Sequence, residues 1–165
     1  MAIDPSFYFE VYEDTNRIVT IINSQIFMPQ SQTHALYQSA FIELMIRLSD
    51  LLNKCKVVKS PVTFTDDVPL SPNIKNVTDL VVTIRNAVCH IPSKTHVTDL
   101  NTTIKFATVF GKATAFQIGE LELKGEYEDD IRFFFGGIGI YLNRNIVRSF
   151  NEAQKNLAPF ISEFP

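Results

Sequence analysis

The spacing of apolar residues changes twice along this chain, and these changes restrict the possible folds more than any other feature. Up to about residue 97, apolar residues recur every three or four positions, which is typical of amphipathic helices. From about residue 101 to 137, β-branched and aromatic runs alternate with glycine-containing breaks, a pattern that predicts strands. Helical spacing then returns. The sequence therefore predicts an α+β protein, mainly α: a helical bundle with a small antiparallel β-sheet of two to four strands inserted before the last helix.

Proline and capping residues set the predicted ends of the helices. Asp4 and Pro5, and again Ser71 and Pro72, combine a capping side chain with proline at the first helical position. Pro159 is expected to end the last helix, because proline in a helix interior removes a backbone hydrogen bond. The predicted helices span about residues 5–28, 33–54, 72–91 and 139–157, and the strand-rich insert spans about residues 102–137.

The composition is that of an ordinary globular domain. Of the 165 residues, 45% are hydrophobic and 20% are charged, so one domain over residues 1–165 is the simplest expectation. The 15 Lys and Arg against 18 Asp and Glu give a formal charge of −3. A protein that coats nucleic acid usually has a basic excess, so the charge argues against that class. A small local site for RNA remains compatible with it.

The cysteines and histidines do not predict a metal site. Cys55 and Cys89 are too few for a disulfide framework, and neither they nor the three histidines have the spacing of zinc ligands. The amino terminus lacks the basic and apolar regions of a secretory signal. No apolar run approaches the roughly 18 residues of a membrane-spanning helix. We therefore expect a cytoplasmic protein with no metal, no cofactor and no membrane partner.

Arg85 and His90 lie five residues apart in the third predicted helix, within the segment NVTDLVVTIRNAVCHIPS. Arginine can hold a phosphate and histidine can transfer a proton near neutral pH, so together they supply what metal-free cleavage of RNA requires. On an ideal helix the two residues are about 140° apart, whereas Asn86 and His90 share a face. Pro92 disfavours helix at Ile91, which places His90 in or just beyond the last turn.

The same residues also allow a purely structural interpretation. Arg85 would pair with a neighbouring carboxylate, and His90 would bind carbonyl groups at the carboxyl end of the helix, where a cation is favoured. The spacing alone is weak support for a function, because arginine and histidine fall at such spacings by chance in many chains. The apolar stripe of this helix belongs to a core. It consists of Ile74, Val77, Val81, Ile84 and Val88.

The string from Arg85 to His90, Arg-Asn-Ala-Val-Cys-His, resembles the Arg-x4–6-His signature of the HEPN superfamily, in its more diagnostic form Arg-Asn-x-x-x-His. The resemblance covers this motif and the order of the helices around it, and the strand-rich segment has no counterpart in a minimal HEPN bundle. HEPN domains are helical bundles that usually dimerise through the motif helix. Many are metal-independent ribonucleases of toxin–antitoxin, phage-defence and RNA-processing systems. Others are inactive and bind nucleotides or partners.

The resemblance implies a role for each motif residue in a homodimer whose two motif helices meet on a twofold axis. His90 would act as general base or acid, Arg85 would hold the scissile phosphate, and Asn86 would orient the histidine or the phosphate. The 2′-hydroxyl of the RNA would be the nucleophile, and the product would carry a 2′,3′-cyclic phosphate. The implied partners are a second copy of the chain, an RNA substrate, and a cognate antitoxin or defence protein.

Three functions remain open at this point. The first is a cytoplasmic, metal-independent endoribonuclease of a microbial defence or toxin-type system. The second is a non-catalytic HEPN-type module that binds a nucleotide, RNA or another protein. The third is a helical regulatory protein in which the motif is accidental.

Two further segments carry structural predictions. The consecutive residues Phe133, Phe134 and Phe135 would point to alternate faces of a strand, so we expect both faces of that strand to be covered. The acidic segment 126–130 lacks the spacing of a calcium-binding loop, and we expect it to form a solvated turn.

Overall fold

Four α-helices and five β-strands make up the part of the chain that the computed structural model describes, namely residues 5–90, 94–98 and 100–161. The predicted class, α+β and mainly α with a small antiparallel sheet before the last helix, is confirmed. The helices are α1 (Pro5–Asn23), α2 (Tyr37–Val57), α3 (Val77–Cys89) and α4 (Arg148–Ile161). The strands are β1 (Ala107–Phe110), β2 (Thr114–Ile118), β3 (Leu121–Lys124), β4 (Ile131–Phe135) and β5 (Ile138–Tyr141).

Contacts divide the chain into two compact units. Unit 1 comprises Met1–Thr63 and Ser149–Pro165, and unit 2 comprises Phe64–Arg148. Unit 1 contains α1, α2 and all but the first residue of α4, whereas unit 2 contains α3 and the five strands. That residues 1–165 form a single domain stays a prediction.

In unit 1, α1 and α2 pack through apolar faces and through one buried acidic residue. Asp14 of α1 is buried and accepts hydrogen bonds from Arg47 and Lys54 of α2, at 3.1 and 3.0 Å. A buried carboxylate needs such partners, because an unpaired charge is costly to remove from water. α4 contacts α2 where Cys55 Sγ lies 3.8 Å from the carbonyl oxygen of Ala153, and burial raises the pKa of this thiol to about 11. The core of unit 1 includes Ile18, Phe41, Leu44, Leu48, Leu51 and Leu52.

The first two helices differ from their predicted ends. α1 ends at Asn23 rather than at residue 28, because the chain turns at Gln25, whose φ of 58° does not continue a right-handed helix. A short 3-10 helix, Pro29–Ser31, follows this turn. α2 begins at Tyr37 rather than at residue 33, and it extends to Val57, beyond the predicted residue 54.

Within the described residues, the strands of unit 2 form two antiparallel sheets rather than one. The strand order of the larger sheet is β1–β4–β5, and β2 pairs with β3 in a separate hairpin. β5 occupies residues that were predicted to start the last helix, so that boundary is wrong. The tight turn between β4 and β5 has Gly136 at a φ of 58°, a conformation that glycine adopts without strain. This turn allows β5 to fold back onto β4.

The phenylalanine run forms the centre of the larger sheet. Phe133, Phe134 and Phe135 on β4 are all buried, so the prediction that both faces are covered is confirmed. On one face the ring of Phe106 stacks on that of Phe133, with centroids 6.1 Å apart. On the other face Phe134 packs in a cluster with Val109. The sheet therefore serves as core on both sides.

A π-helix over Leu142–Val147 connects β5 to α4, and Asp130 stabilises its start. The buried carboxylate of Asp130 accepts hydrogen bonds from the backbone N–H groups of Ile131, Asn143 and Arg144, at 2.8, 2.8 and 3.1 Å. It also accepts one from the guanidinium of Arg144 at 3.0 Å. The prediction of a solvated turn over residues 126–130 is therefore wrong at Asp130, which serves as a cap.

The last helix begins and ends later than predicted. α4 spans Arg148–Ile161 instead of residues 139–157, and Pro159 lies inside the helix rather than ending it. Because Pro159 lies in the last turn, its missing N–H removes only one hydrogen bond near the helix end.

Asp4, Ile91 and Pro92, which entered the predicted caps and boundaries, lie outside the described residues. In the parts of the chain that the structure does describe, no helix has both the length and the apolar character needed to cross a bilayer.

Candidate functional site

α3 carries the candidate site, and it begins at Val77 rather than at residue 72. Asn76 caps it: its Oδ1 accepts a hydrogen bond from the backbone N–H of Asp79 at 3.1 Å, and the Asp79 carboxylate accepts one from the backbone N–H of Lys75 at 3.0 Å. These contacts pair N–H groups that the start of a helix leaves without partners. The hydroxyl of Ser71, the predicted cap, accepts hydrogen bonds from the N–H groups of residues 73 and 74 and so stabilises a turn before the helix.

One face of α3 is buried and the other face carries the motif. The predicted apolar stripe is confirmed except at its end, where Val88 is only half-buried. Asn86 and His90 are exposed, and Arg85 is half-buried. All three residues belong to unit 2. The motif therefore lies at a surface that a ligand can reach.

Arg85 contacts a neighbouring motif residue rather than a carboxylate. Its Nη1 donates a hydrogen bond to Asn86 Oδ1 at 3.2 Å. Within residues 5–90, 94–98 and 100–161, no acidic side chain forms an ion pair with Arg85, and its buried Nε has no hydrogen-bond partner. The pairing with a carboxylate that a structural role would require is thus not found among these residues. The remaining guanidinium donors can bind an oxyanion.

His90 ends α3 through its backbone, and its side chain is left exposed. The residue has an extended conformation, with φ −123° and ψ 98°, and its N–H donates to the Ala87 carbonyl oxygen at 3.3 Å. Its imidazole forms no hydrogen bond with any residue that the structure describes, including Arg85 and Asn86. Within one chain, therefore, Arg85 forms a hydrogen bond with Asn86, but the His90 imidazole forms none with either residue. The imidazole can accept or deliver a proton from solvent or from a ligand.

His96, rather than His90, binds the last turn of α3 through its ring. His96 is buried, and its Nε2 lies 2.8 Å from the Ala87 carbonyl oxygen. Because a carbonyl oxygen only accepts hydrogen bonds, Nε2 carries the proton. Nδ1 is buried and has no partner among the described residues. The sequence gives no sign of this role for His96, since a contact with a residue nine positions earlier follows no helical or strand periodicity.

Comparison of the chain with protein-family models, with curated proteins and with solved structures gives no significant match. In the described part of the chain, no group of three or more His, Cys, Asp or Glu residues could hold a metal ion. What the site offers is an exposed imidazole, a guanidinium with unused donors, and an amide that contacts the guanidinium. These groups can bind a phosphate and transfer a proton.

Proposed function

We propose that this protein is a cytoplasmic, homodimeric and metal-independent endoribonuclease of the HEPN type, acting in a microbial defence or toxin-type system. The main support is the exposed imidazole of His90, which lies about one turn beyond the contact between Arg85 and Asn86. Cleavage of RNA by its own 2′-hydroxyl requires proton transfer and stabilisation of charge on the phosphate. The assignment to a defence or toxin-type system is supported by the resemblance of the motif.

The environment of His90 supports a chemical role over a structural one. A structural histidine at this position would bind a carbonyl group at the end of α3. The Ala87 carbonyl oxygen already accepts from the His96 ring and from the backbone N–H of His90. The His90 imidazole is therefore available for proton transfer, which typically accelerates a reaction by about 10²–10⁴-fold.

The positions of Arg85 and His90 on α3 support a site that two chains share. On an ideal helix the two residues lie about 140° apart, and His90, just past the end of α3, forms no hydrogen bond with Arg85, so a single chain does not bring them together. In a twofold dimer in which the exposed faces of two α3 helices meet, His90 of one protomer approaches Arg85 of the other. Such a dimer would bring an imidazole and a guanidinium to one phosphate.

In the proposed reaction, His90 of one protomer removes the proton of the 2′-hydroxyl, and the resulting oxygen attacks the adjacent phosphorus. The bond from phosphorus to the 5′-oxygen breaks, and this oxygen takes up a proton that the same His90 imidazolium gives back through solvent. Arg85 binds the non-bridging oxygens while their negative charge increases, and Asn86 holds the guanidinium in place. The products are a 2′,3′-cyclic phosphate and a 5′-hydroxyl, so neither water nor a metal ion is consumed.

A comparison of two exposed histidines tests the proposal. The full chain, incubated with single-stranded RNA in EDTA, should release fragments that end in a 2′,3′-cyclic phosphate. His90→Ala should lower the cleavage rate about 100-fold or more, because it removes the general acid and base. His34→Ala is the matched control, since His34 is also exposed but belongs to unit 1, and it should change the rate less than about twofold. DNA of the same sequence should remain intact, because it lacks the nucleophile.

Two results would count against the proposal. Equal cleavage by the wild-type protein and by His90→Ala would mean that this imidazole takes no part in the reaction. RNA binding without cleavage, weakened by Arg85→Ala, would instead identify the non-catalytic binding module. In that module the Arg85 guanidinium, held by Asn86, would bind a phosphate without any chemical step.

A further inference from the structure

A groove of about 800 Å³, which we call the α3 groove, lies in unit 2 beside the exposed face of α3. Thr83 of α3 lines it, as does Lys94, which follows the helix. Clefts of about 300–1,000 Å³ typically hold small ligands, so the α3 groove can accommodate one nucleotide but not a duplex. Its lining combines apolar side chains with hydroxyl and amide groups, among them Leu70, Leu100, Leu121, Asn73 and Thr83.

No motif residue lines the α3 groove, but Thr83, which does, shares a helix face with two of them. On an ideal helix, Asn86 and His90 lie about 60° and 20° from Thr83 around the axis, and His90 lies about 10 Å further along it. Lys94 continues the groove lining beyond the end of the helix. A strand whose phosphate is held at His90 would therefore have its neighbouring nucleotide within reach of the groove.

We propose that the α3 groove binds the base and ribose of the nucleotide next to the scissile phosphate in single-stranded RNA. This inference rests on the proposed function, since it takes the phosphate to lie at His90. Leu70 and Leu100 are exposed and offer an apolar surface to the face of a base. Asn73 and Thr83, whose side chains form no hydrogen bond with described residues, can bind the polar edge of that base or the ribose hydroxyl groups.

The charges at the α3 groove favour a single flexible strand over a duplex. Lys94 and Glu120 both line the groove and are exposed, so they contribute one charge of each sign. A duplex is held mainly by several cations along its phosphates, and its binding depends steeply on salt. An unpaired base gains binding free energy from contacts to its face, which a duplex does not offer. Because the groove itself presents only one cation, binding to it should depend on salt less steeply than binding of a duplex along several phosphates.

A pair of matched leucine substitutions tests the inference by binding rather than by cleavage. Leu70 lines the groove and is 61% exposed, and Leu36, in unit 1, is also 61% exposed. Binding is measured in a full chain that carries His90→Ala to prevent cleavage, with a short fluorescent single-stranded RNA. In that chain, Leu70→Glu should raise the Kd about tenfold, because it places a negative charge beside the base and removes an apolar contact. Leu36→Glu should change the Kd less than about twofold.

Asn73→Ala is a second test of the groove, to be used if Leu70→Glu lowers the stability of the fold. Asn73 is exposed and its side chain forms no hydrogen bond with a described residue, so Asn73→Ala should leave the urea midpoint unchanged. It should weaken binding about threefold to tenfold and alter the preference among homopolymers of the four bases, since it removes an edge contact.

The outcomes distinguish failure of the groove inference from failure of the proposed function. An unchanged Kd in both groove variants, with cleavage still dependent on His90, would overturn the groove inference alone. Loss of self-association in Leu70→Glu, with unchanged RNA affinity, would also overturn it, because the groove would then be a contact between copies of the chain. Weaker RNA binding in both groove variants would support the groove as an RNA site. If His90→Ala also had no effect on cleavage, the catalytic assignment and the position of the scissile phosphate at His90 would fail, although RNA binding in the groove would stand.

Discussion

Replacing His96 by alanine separates the structural histidine at the end of α3 from the exposed one. The substitution removes the hydrogen bond from Nε2 to the Ala87 carbonyl oxygen, which costs about 0.5–1.5 kcal/mol because that oxygen still accepts a hydrogen bond from the backbone N–H of His90. It also removes the buried Nδ1, which has no partner among the described residues, and this relieves a penalty of similar size. The two polar effects nearly cancel. The cavity left by the ring then dominates, so we expect a loss of about 2–4 kcal/mol in the free energy of unfolding.

Two companion variants isolate the cause of this loss. His96→Leu fills most of the cavity and removes both ring nitrogens, so it should lose less than about 1.5 kcal/mol. His90→Ala should lose less than about 0.5 kcal/mol, because the His90 imidazole is exposed and has no hydrogen bond to a described residue. The expected order of stability is therefore His90→Ala, then His96→Leu, then His96→Ala.

Urea unfolding followed by circular dichroism measures these differences. With a urea dependence of about 2 kcal/mol per molar, the midpoint of His96→Ala should fall by about 1–2 M, whereas that of His90→Ala should shift by about 0.25 M or less. Equal losses for His90→Ala and His96→Ala would refute the assignment of different roles to the two histidines. A midpoint unchanged in His96→Ala would refute the buried position of the His96 ring against the end of α3.

Three further predictions concern the thiols and a close contact in the larger sheet. A thiol reagent should modify one cysteine per folded chain, because Cys89 is exposed and Cys55 is buried; rapid modification of both in native buffer would contradict this. Burial raises the pKa of Cys55 to about 11, so between roughly pH 9 and pH 11 the folded chain keeps the thiol proton while the unfolded chain loses it. The free energy of unfolding should therefore fall as the pH rises through this range, and it should fall less in Cys55→Ala. Gly139→Ala would place a Cβ atom 2.9 Å from a ring carbon of Phe134 and against the Arg132 side chain. The variant should therefore lose about 1–3 kcal/mol in the free energy of unfolding, and a Tm unchanged in thermal unfolding would contradict the packing.

The features that sequence predicted correctly depend on local periodicity. The apolar stripe of α3, for example at Val77, Val81 and Ile84, is buried because helical geometry alone places these residues on one face. The run Phe133–Phe135 is covered on both faces because side chains alternate along any strand. The exposure of Asn86 follows from the same reasoning, since it lies away from the stripe.

The features that sequence missed depend on contacts between distant residues. Ser71 and Asn76 are both valid caps by local rules, and the hydrogen bonds of Ser71 within a turn leave Asn76 to start the helix. Residues 138–141 have an apolar pattern compatible with helix or strand, and pairing with β4 selects the strand. The buried position of Asp130 depends on N–H groups more than ten residues later, and the contact of His96 with Ala87 spans the end of a helix. No local rule anticipates these contacts.

The most direct test of a site shared by two chains is complementation between two inactive variants. If the proposed function is correct, Arg85→Ala and His90→Ala are inactive as homodimers, because each lacks one of the two groups proposed to act on the phosphate. When both variants are co-expressed with different tags and the mixed dimer is isolated, one chain supplies His90 and the other supplies Arg85. We predict that the mixed dimer cleaves single-stranded RNA at a readily measured fraction of the wild-type rate and again leaves a 2′,3′-cyclic phosphate. A mixed dimer that is intact by mass but as inactive as either parent, or a wild-type chain that remains monomeric while it cleaves RNA, would contradict the account.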